Sequence, residues 1–423
     1  MTDLMDRFRS FRAAVQSSGV GEAQPPPPRA VHLPEGLWEE VATPYGPVPV
    51  RSDHRVLPFI DGLRGPWPSR VAGCDLGPAE GWRWFDLETT GLSRGSGNRA
   101  FLAGVGQLEG DGLTVRQYLL TDLDQESALL AAVAADLAGG AAIVTFNGKS
   151  FDVPLLRDRC VLAGLQAPSA PHFDLLHPAR RLWQTVLAGA CDLRSLQGEI
   201  LGDPRFGDVP GEMIPALYTA WLDGDGPALD SVCAHNREDL YALCAVAARL
   251  CALAAGGARA DLPPDLLWGL GRLYEKAGAA EAAVAAYLAC RDAGGRGAAR
   301  AAGALLKRLG RHPEAVPLWE AERRGPLPSL EAAIELAKYL EHRRRDPAAA
   351  LAVMREALPF VRWLRPERRA EIEHRLARLR RKAGEGGAGG AGGGSPAGAA
   401  GLASGGGRPD GGAGPSGSRA SGR

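Results

Sequence analysis

The stretch WRWFDLETTGL, residues Trp82 to Leu92, sets two carboxylates, Asp86 and Glu88, two positions apart in an otherwise apolar run. Side chains alternate along a strand, so both acids project to one face while Phe85 and Leu87 project to the other. Their Cα atoms then lie about 6.6–6.8 Å apart. Two carboxylates at that spacing can share divalent cations in a site whose metals sit about 3.5–4 Å apart. The ordinary use of such a pair is the solvated face of a half-buried strand, and an isolated DxE does not separate the two readings. Two further stretches bear on the choice. In TFNGKSFDVPLL, Asp152 follows a buried strand and a glycine-bearing loop, where a helix starts; a helix N-cap is its bland alternative. In AHNREDLYAL, His235 and Asp239 are four apart and share one helix face. A surface His–Asp pair is the alternative there.

Working outward, RWFDLET, FLAGVGQL and LTVRQYLL have strand character, and the Gly, Ser and Asn of SRGSGN suit a reversal between the first two. DQESALLAAVAADLAGG reads as a helix with acids in its first turn and Gly at its end. AAIVTF is a short buried strand, the helix after it has Pro154 in its first turn, HFDLLH is a strand, and helices follow to about Ala255. The βββαβα order predicts an α/β domain with a mixed sheet over residues 82–256.

Residues 1–81, with GEAQPPPPRA, predict a Pro-rich, weakly ordered extension, with a strand or two between Val31 and Ile60 packed on the next domain. Residues 257–382 lack strand signals and repeat internally. Gly278 is followed by Ala283, Val284 and Tyr287, and Gly310 by Ala315, Val316 and Trp319 at the same offsets, a period of 32. The small residue is expected to let paired helices approach, and the aromatic to fill the groove between units. With Leu270, Gly271 and Tyr274, the first unit resembles a tetratricopeptide repeat, whose period is about 34 residues. A plain Ala-rich bundle is the alternative. Residues 383–423 are Gly-rich low complexity and predict a disordered tail.

Of the 423 residues, 45% are hydrophobic and 23% charged, a soluble globular composition. The most apolar segment, ALCAVAARLCALAAGG, is broken by Arg249 and reads as a buried helix, so no membrane partner is expected. The N-terminus has early acids and no apolar core segment, which predicts a cytoplasmic location. Seven scattered cysteines form no CxxC pair and exclude a zinc ribbon. The net charge of zero hides an asymmetry: 13 basic against 21 acidic residues in 82–253, and 25 against 16 in 254–382. A catalytic segment of net −8 acting on a polyanion needs positive charge from metal ions, from local patches or from the basic repeats.

DxE on a first strand, NxxxFD at a helix start and HxxxD on a late helix resemble the DEDD exonuclease group of the ribonuclease H-like superfamily. FDLETTGLS, AFLAGVG, FDLLHPARRLW, LGDPRFGDVPGEMIPALY and HNREDLYAL are similar to the YprB-like ribonuclease H-like domain proteins, over about 82–253. Helical repeats after such a domain also resemble that family's layout. The resemblance implies a metal-dependent nuclease with 3′→5′ exonuclease chemistry on DNA or RNA, and two ions held by Asp86, Glu88, Asp152 and Asp239. His235 would stand near the attacking water. One departure is that the group has YxxxD or HxxxxD, whereas His235 occupies the YxxxD spacing. Oxygen ligands without thiolate select Mg²⁺ or Mn²⁺. One ion would lower the pKa of a bound water whose proton His235 could take, and the second would stabilise the leaving oxygen.

Secondary candidates are Asn147, Lys149, Arg94 and Arg99, in loops near the acids, as phosphate contacts. Asp174 is expected either to assist the site or to bond a nearby loop. Arg180 and Arg181 are expected in a structural salt bridge. The repeats would recruit a protein partner or help hold nucleic acid. Two alternatives stay open: a catalytically silent nucleic-acid-binding or scaffold protein acting through its repeats, and an endonuclease with the same metal chemistry.

Overall fold

A computed structural model describes residues 32–58, 60–91, 97–325, 328–361 and 364–384. The expected proline-rich linker and the tail, along with Arg94, lie outside the described residues. The chain divides into two compact units, residues 1–332 and 333–423.

The first unit is built on a seven-stranded sheet. Its strands are β1 (Glu39–Thr43), β2 (Gly46–Val56), β3 (Trp82–Thr89), β4 (Ala100–Glu109), β5 (Gly112–Leu119), β6 (Ala142–Thr145) and β7 (His172–Asp174), in the spatial order β1-β2-β5-β4-β3-β6-β7. β3 is central: it pairs antiparallel with β4 and parallel with β6, which pairs parallel with β7. The sheet is therefore mixed, as the sequence predicts. The carboxyl ends of the three parallel strands share one edge, the usual place for a site in an open α/β sheet.

The helices are α1 (Trp67–Ala72), α2 (Glu126–Ala138), α3 (Asp152–Leu162), α4 (Leu176–Trp183), α5 (Leu193–Leu201), α6 (Ile214–Leu222) and α7 (Asp230–Gly256). α7 packs on β3, β4 and β5, and α2 packs on β2, β4 and β5. The segment Gly226–Gly256 is long and apolar enough to cross a membrane, but 67% of its most apolar window is buried inside the protein. It is the helix that covers the sheet.

The strand or two expected between Val31 and Ile60 are present as β1 and β2, so this part of the expected extension is ordered. β1 and β2 extend the main sheet, with β2 paired to β5 from Val50↔Tyr118 to Val56↔Gly112. Pro47 and Pro49 lie within this strand. Both fall before Val50, where β2 has only β1 beside it, and a residue without an N–H is tolerated there.

Two helical hairpins follow: α8 (Pro264–Lys276) with α9 (Ala280–Asp292), and α10 (Ala298–Arg308) with α11 (His312–Arg324). They bear out helical repeats and correct the role of their glycines. Gly278 and Gly310 have φ of +70° and +75° and serve the turns. The close approach occurs at Gly271 and Gly303, where an added Cβ would stand 2.4 Å from the Tyr287 ring and 2.7 Å from Trp319 Nε1. Each aromatic thus packs on the glycine of its own hairpin. A division at 256/257 does not appear either. An added Cβ at Gly269 would lie 2.0 Å from the Leu182 carbonyl, and the Tyr274 hydroxyl donates to the Ala254 carbonyl at 2.8 Å. Both hairpins belong to the compact unit of the sheet.

In the second unit, Glu341 is 6% exposed and accepts from Arg378 at 2.6 Å and Lys382 at 2.7 Å. These bonds pin the helix Pro366–Lys382 to the end of the helix Leu330–His342.

Candidate active site

β3 carries Asp86 half-buried and Glu88 buried, on the face covered by α7. Phe85 and Leu87 enter the opposite apolar layer with Leu129 and Val133 of α2. Asp152 is the first residue of α3, not its N-cap, which is Phe151. The Asp152 carboxyl faces the backbone of Asp152 and of Leu87, whose N–H groups favour its ionised form, and so lies beside β3 near the two strand acids. α7 supplies His235 and Asp239. The structure thus brings Asp86, Glu88, Asp152, His235 and Asp239 into one neighbourhood.

The electrostatics show how close the acids are. Burial, then the charges of Asp239 and Asp152, push the Asp86 carboxyl well above its ordinary value. Burial, then Asp86, Asp239 and Asp152, do the same to Glu88. Asp152 is raised to about 7 by burial, with Asp174 and Asp239 adding to it and the two backbone bonds opposing. Glu88 makes no ion pair among the described residues.

Two residues without a sequence-predicted role complete the cluster. Arg205 pairs with Asp239 and, at 3.4 Å, with Asp208, and Gln197 accepts from its Nε. Its side chain is 6% exposed, and Nη2 has no hydrogen-bond partner among the described residues. His235 Nδ1 meets Asp208 Oδ1 at 2.7 Å, and His235 Nε2 lies 3.7 Å from Asp239 Oδ2. Burial alone would raise the Asp208 carboxyl, but the His235 hydrogen bond and the His235 and Arg205 charges hold it below its ordinary value. An ionised Asp208 can only accept, so Nδ1 carries the hydrogen and Nε2 is the free position. Arg205 and Asp208 lie in the DPRFGD loop, and no spacing in the sequence ties that loop to the acids.

The secondary candidates separate. Asp174 accepts the backbone N–H of Asn147 at 2.8 Å, Lys149 at 3.0 Å and Leu176 at 3.1 Å, so it pins the loop that presents Asp152. Asn147 sits at φ +65° in that loop, and Lys149 is exposed. The Arg99 guanidinium donates to the Leu123 carbonyl at 2.8 Å and pairs with Glu126 at 3.6 Å, at the start of α2. The salt bridge expected of Arg180 and Arg181 is absent among the described residues. Arg181 lies near Arg272, and burial, then that like charge, lowers its pKa.

The donor set suits a hard divalent cation. Five carboxylates face one guanidinium and one imidazole, and every donor is oxygen or imidazole nitrogen. Among the described residues no three of these side chains already converge at ligating distance. Asp239 is held by Arg205, and a cation would have to compete with that guanidinium.

A family model of the RNase_H superfamily matches residues 83–251, which span β3 to α7 and contain every residue of the cluster. The uncharacterized protein YprB of Bacillus subtilis (strain 168) is 32% identical over 308 residues, covering 71% of this chain and 74% of the relative. That match extends beyond the sheet domain, as shared architecture requires. With the central DxE strand, the parallel-edge site and this similarity together, the chain belongs to the YprB family of the ribonuclease H superfamily.

Proposed function

We propose that this protein is a metal-dependent nuclease that hydrolyses phosphodiester bonds of DNA or RNA, acting as a 3′→5′ exonuclease. The observation that carries the reading is the crowding of Asp86, Glu88, Asp152 and Asp239, three of them with strongly raised pKa values, at the edge of a ribonuclease H superfamily sheet. These four residues would hold two Mg²⁺ or Mn²⁺ ions. When bound, such ions offset the carboxylate repulsion and stabilise negative charge at the phosphate.

The chain's own groups do the rest. Asp208 fixes the tautomer of His235 and leaves Nε2 to take a proton. Asp174 holds the backbone of Asn147 and Lys149, so the exposed Lys149 ammonium can reach a phosphate from a pinned loop. Phe206, 90% exposed and next to Arg205, offers a flat face to an unpaired base. We further propose a cytoplasmic location, where the seven free thiols are stable, and a partner-docking role for the helical hairpins.

End-labelled single- and double-stranded DNA and RNA, incubated with Mg²⁺ or Mn²⁺, test the activity. Mononucleotide release that stalls at a blocked 3′ end is expected, whereas cleavage that ignores the block would mean an endonuclease. Equal, slow decay with wild type and Asp86→Ala would remove the nuclease reading and favour a binding or scaffold role. Phe206→Ala is expected to weaken single-strand binding by about 1–3 kcal/mol in a titration with fluorescent oligonucleotide. An unchanged affinity would take Phe206 out of the site.

A further inference from the structure

One rung of the sheet runs straight from the edge of the domain to Asp86. Arg51 on β2 is the cross-strand partner of Gln117 on β5, Gln117 of Gly104 on β4, and Gly104 of Asp86 on β3. Three of the four residues are polar and one has no side chain. The gap at Gly104 is filled from above by Asn236 of α7, which is fully buried. A Cβ at Gly104 would stand 2.5 Å from Asn236 Oδ1 and 2.5 Å from Leu240 Cδ1.

The hydrogen bonds along this rung have one polarity. Arg51 donates through Nε at 2.9 Å and Nη2 at 2.8 Å, both to Gln117 Oε1. Gln117 Nε2 donates to the Cys233 carbonyl at 2.8 Å and to Asn236 Oδ1 at 2.9 Å. Asn236 Nδ2 donates to Asp86 Oδ2 at 2.8 Å. A guanidinium has no acceptor, so the Gln117 oxygen must face it. The Gln117 amide then has both hydrogens committed, and the Asn236 oxygen must face Gln117. Neither amide can flip without opposing two donors or two acceptors in a buried place, which costs about 1–3 kcal/mol per unsatisfied group.

We propose that Asn236 is a positioning residue for Asp86, and that Gln117 and Arg51 set its orientation from two and three strands away. Resting on the metal-site reading above, the relay presents a donor to one Asp86 oxygen and leaves the other for a cation. It also explains why α7 must sit close on β4, and hence why β4 needs glycine at residue 104.

The test is a double-mutant cycle between residues 117 and 86, which are linked only through Asn236. In Gln117→Glu the new carboxylate still accepts from Arg51 but has nothing to donate to Asn236. The Asn236 amide is then driven to turn, and its oxygen meets Asp86. Gln117→Glu is expected to lower Mn²⁺ affinity at least tenfold by calorimetry and to lower the metal-free melting temperature. An amide at residue 86 can donate to the turned Asn236, so the melting-temperature loss is expected to shrink by more than half in the Asp86→Asn background. Gln117→Met, which has no polarity to impose, is expected to weaken Mn²⁺ less than Gln117→Glu while retaining the fold.

An equal loss of melting temperature in both backgrounds would overturn the relay, and so would equal Mn²⁺ affinities for Gln117→Glu and Gln117→Met. If wild type bound no Mn²⁺, the metal-site reading would fall, while the melting-temperature cycle would still decide the relay.

Discussion

Asp86→Asn is expected to abolish cleavage while making the metal-free protein more stable. The two effects share a cause. Asp86 lies between Glu88, Asp152 and Asp239, and its charge is disfavoured by burial and then by its neighbours. An amide there keeps an oxygen to accept from Asn236 Nδ2 but removes one of the crowded charges. A carboxylate whose pKa the folded state raises costs stability once it must ionise, so its removal is expected to raise the metal-free melting temperature near pH 8. The loss of activity should be larger. Removing a single neutral donor to a developing oxyanion costs about 10²–10³ in rate, and an anionic metal ligand contributes at least as much. Thermal melts in EDTA alongside the end-labelled assay measure both effects in one preparation. A variant that lost activity and stability together would point to a structural role for Asp86. A variant that kept activity would remove Asp86 from the metal site.

This opposition between stability and function also explains which parts of the fold the sequence displays. β3 is legible because its pattern is extreme: Phe85 and Leu87 are buried in one layer, Asp86 and Glu88 sit on the other face, and no local structural need accounts for the acids. Asp152 and Asp239 are legible only in combination with them. Arg205 and Asp208 are not legible, because their partners are at Asp239 and His235, 34 and 27 residues away, on an element whose placement depends on the whole sheet. The strands between Val31 and Ile60 are legible only as short apolar pieces among prolines, and in β2 those prolines lie where only one neighbouring strand is present. Arg99 shows the converse limit. Its place in sequence beside the acid-bearing strand suggests phosphate contact, but nothing local in the sequence shows that its guanidinium also meets the carboxylate of Glu126, which Arg159 shares. In the hairpins, the repeat of Gly278 and Gly310 is real, but it marks turns. Gly271 is already part of the repeat resemblance, but that Gly271 and Gly303 are the points of close approach emerges only once an aromatic ring is found against each.

The metal-free protein is expected to lose stability as pH rises, and divalent cation to remove that dependence. Asp152 has an ordinary value of 3.8 and is raised to about 7 in the folded protein, and Asp86 and Glu88 are raised in the same direction. Between those limits the folded state holds protons that the unfolded chain has released. Stability therefore falls with pH through this window, and Asp86 and Glu88 act in the same direction. The shift of Asp152 alone is worth about 4 kcal/mol at about 1.4 kcal/mol per unit, as an upper figure. His172 opposes the trend over part of the range. Burial, resisted by Asp174, lowers it from 6.5 to about 4, so its contribution grows as pH rises from about 4 to 6.5. Asp208 and Glu341 are held below their ordinary values, and their contributions are lost only in more acid solution. The acids consequently act without opposition from His172 above about pH 6.5, and the fall is expected to be steeper there than below it. Melting temperatures in EDTA between pH 6 and 8 should decline, Asp152→Asn should flatten the decline, and saturating Mn²⁺ should abolish or reverse it, because cation binding displaces the same protons. A melting temperature that rose steadily over this range in EDTA would mean that the carboxylates are not held against their charge, and the physical basis for a cation at this edge of the sheet would be gone.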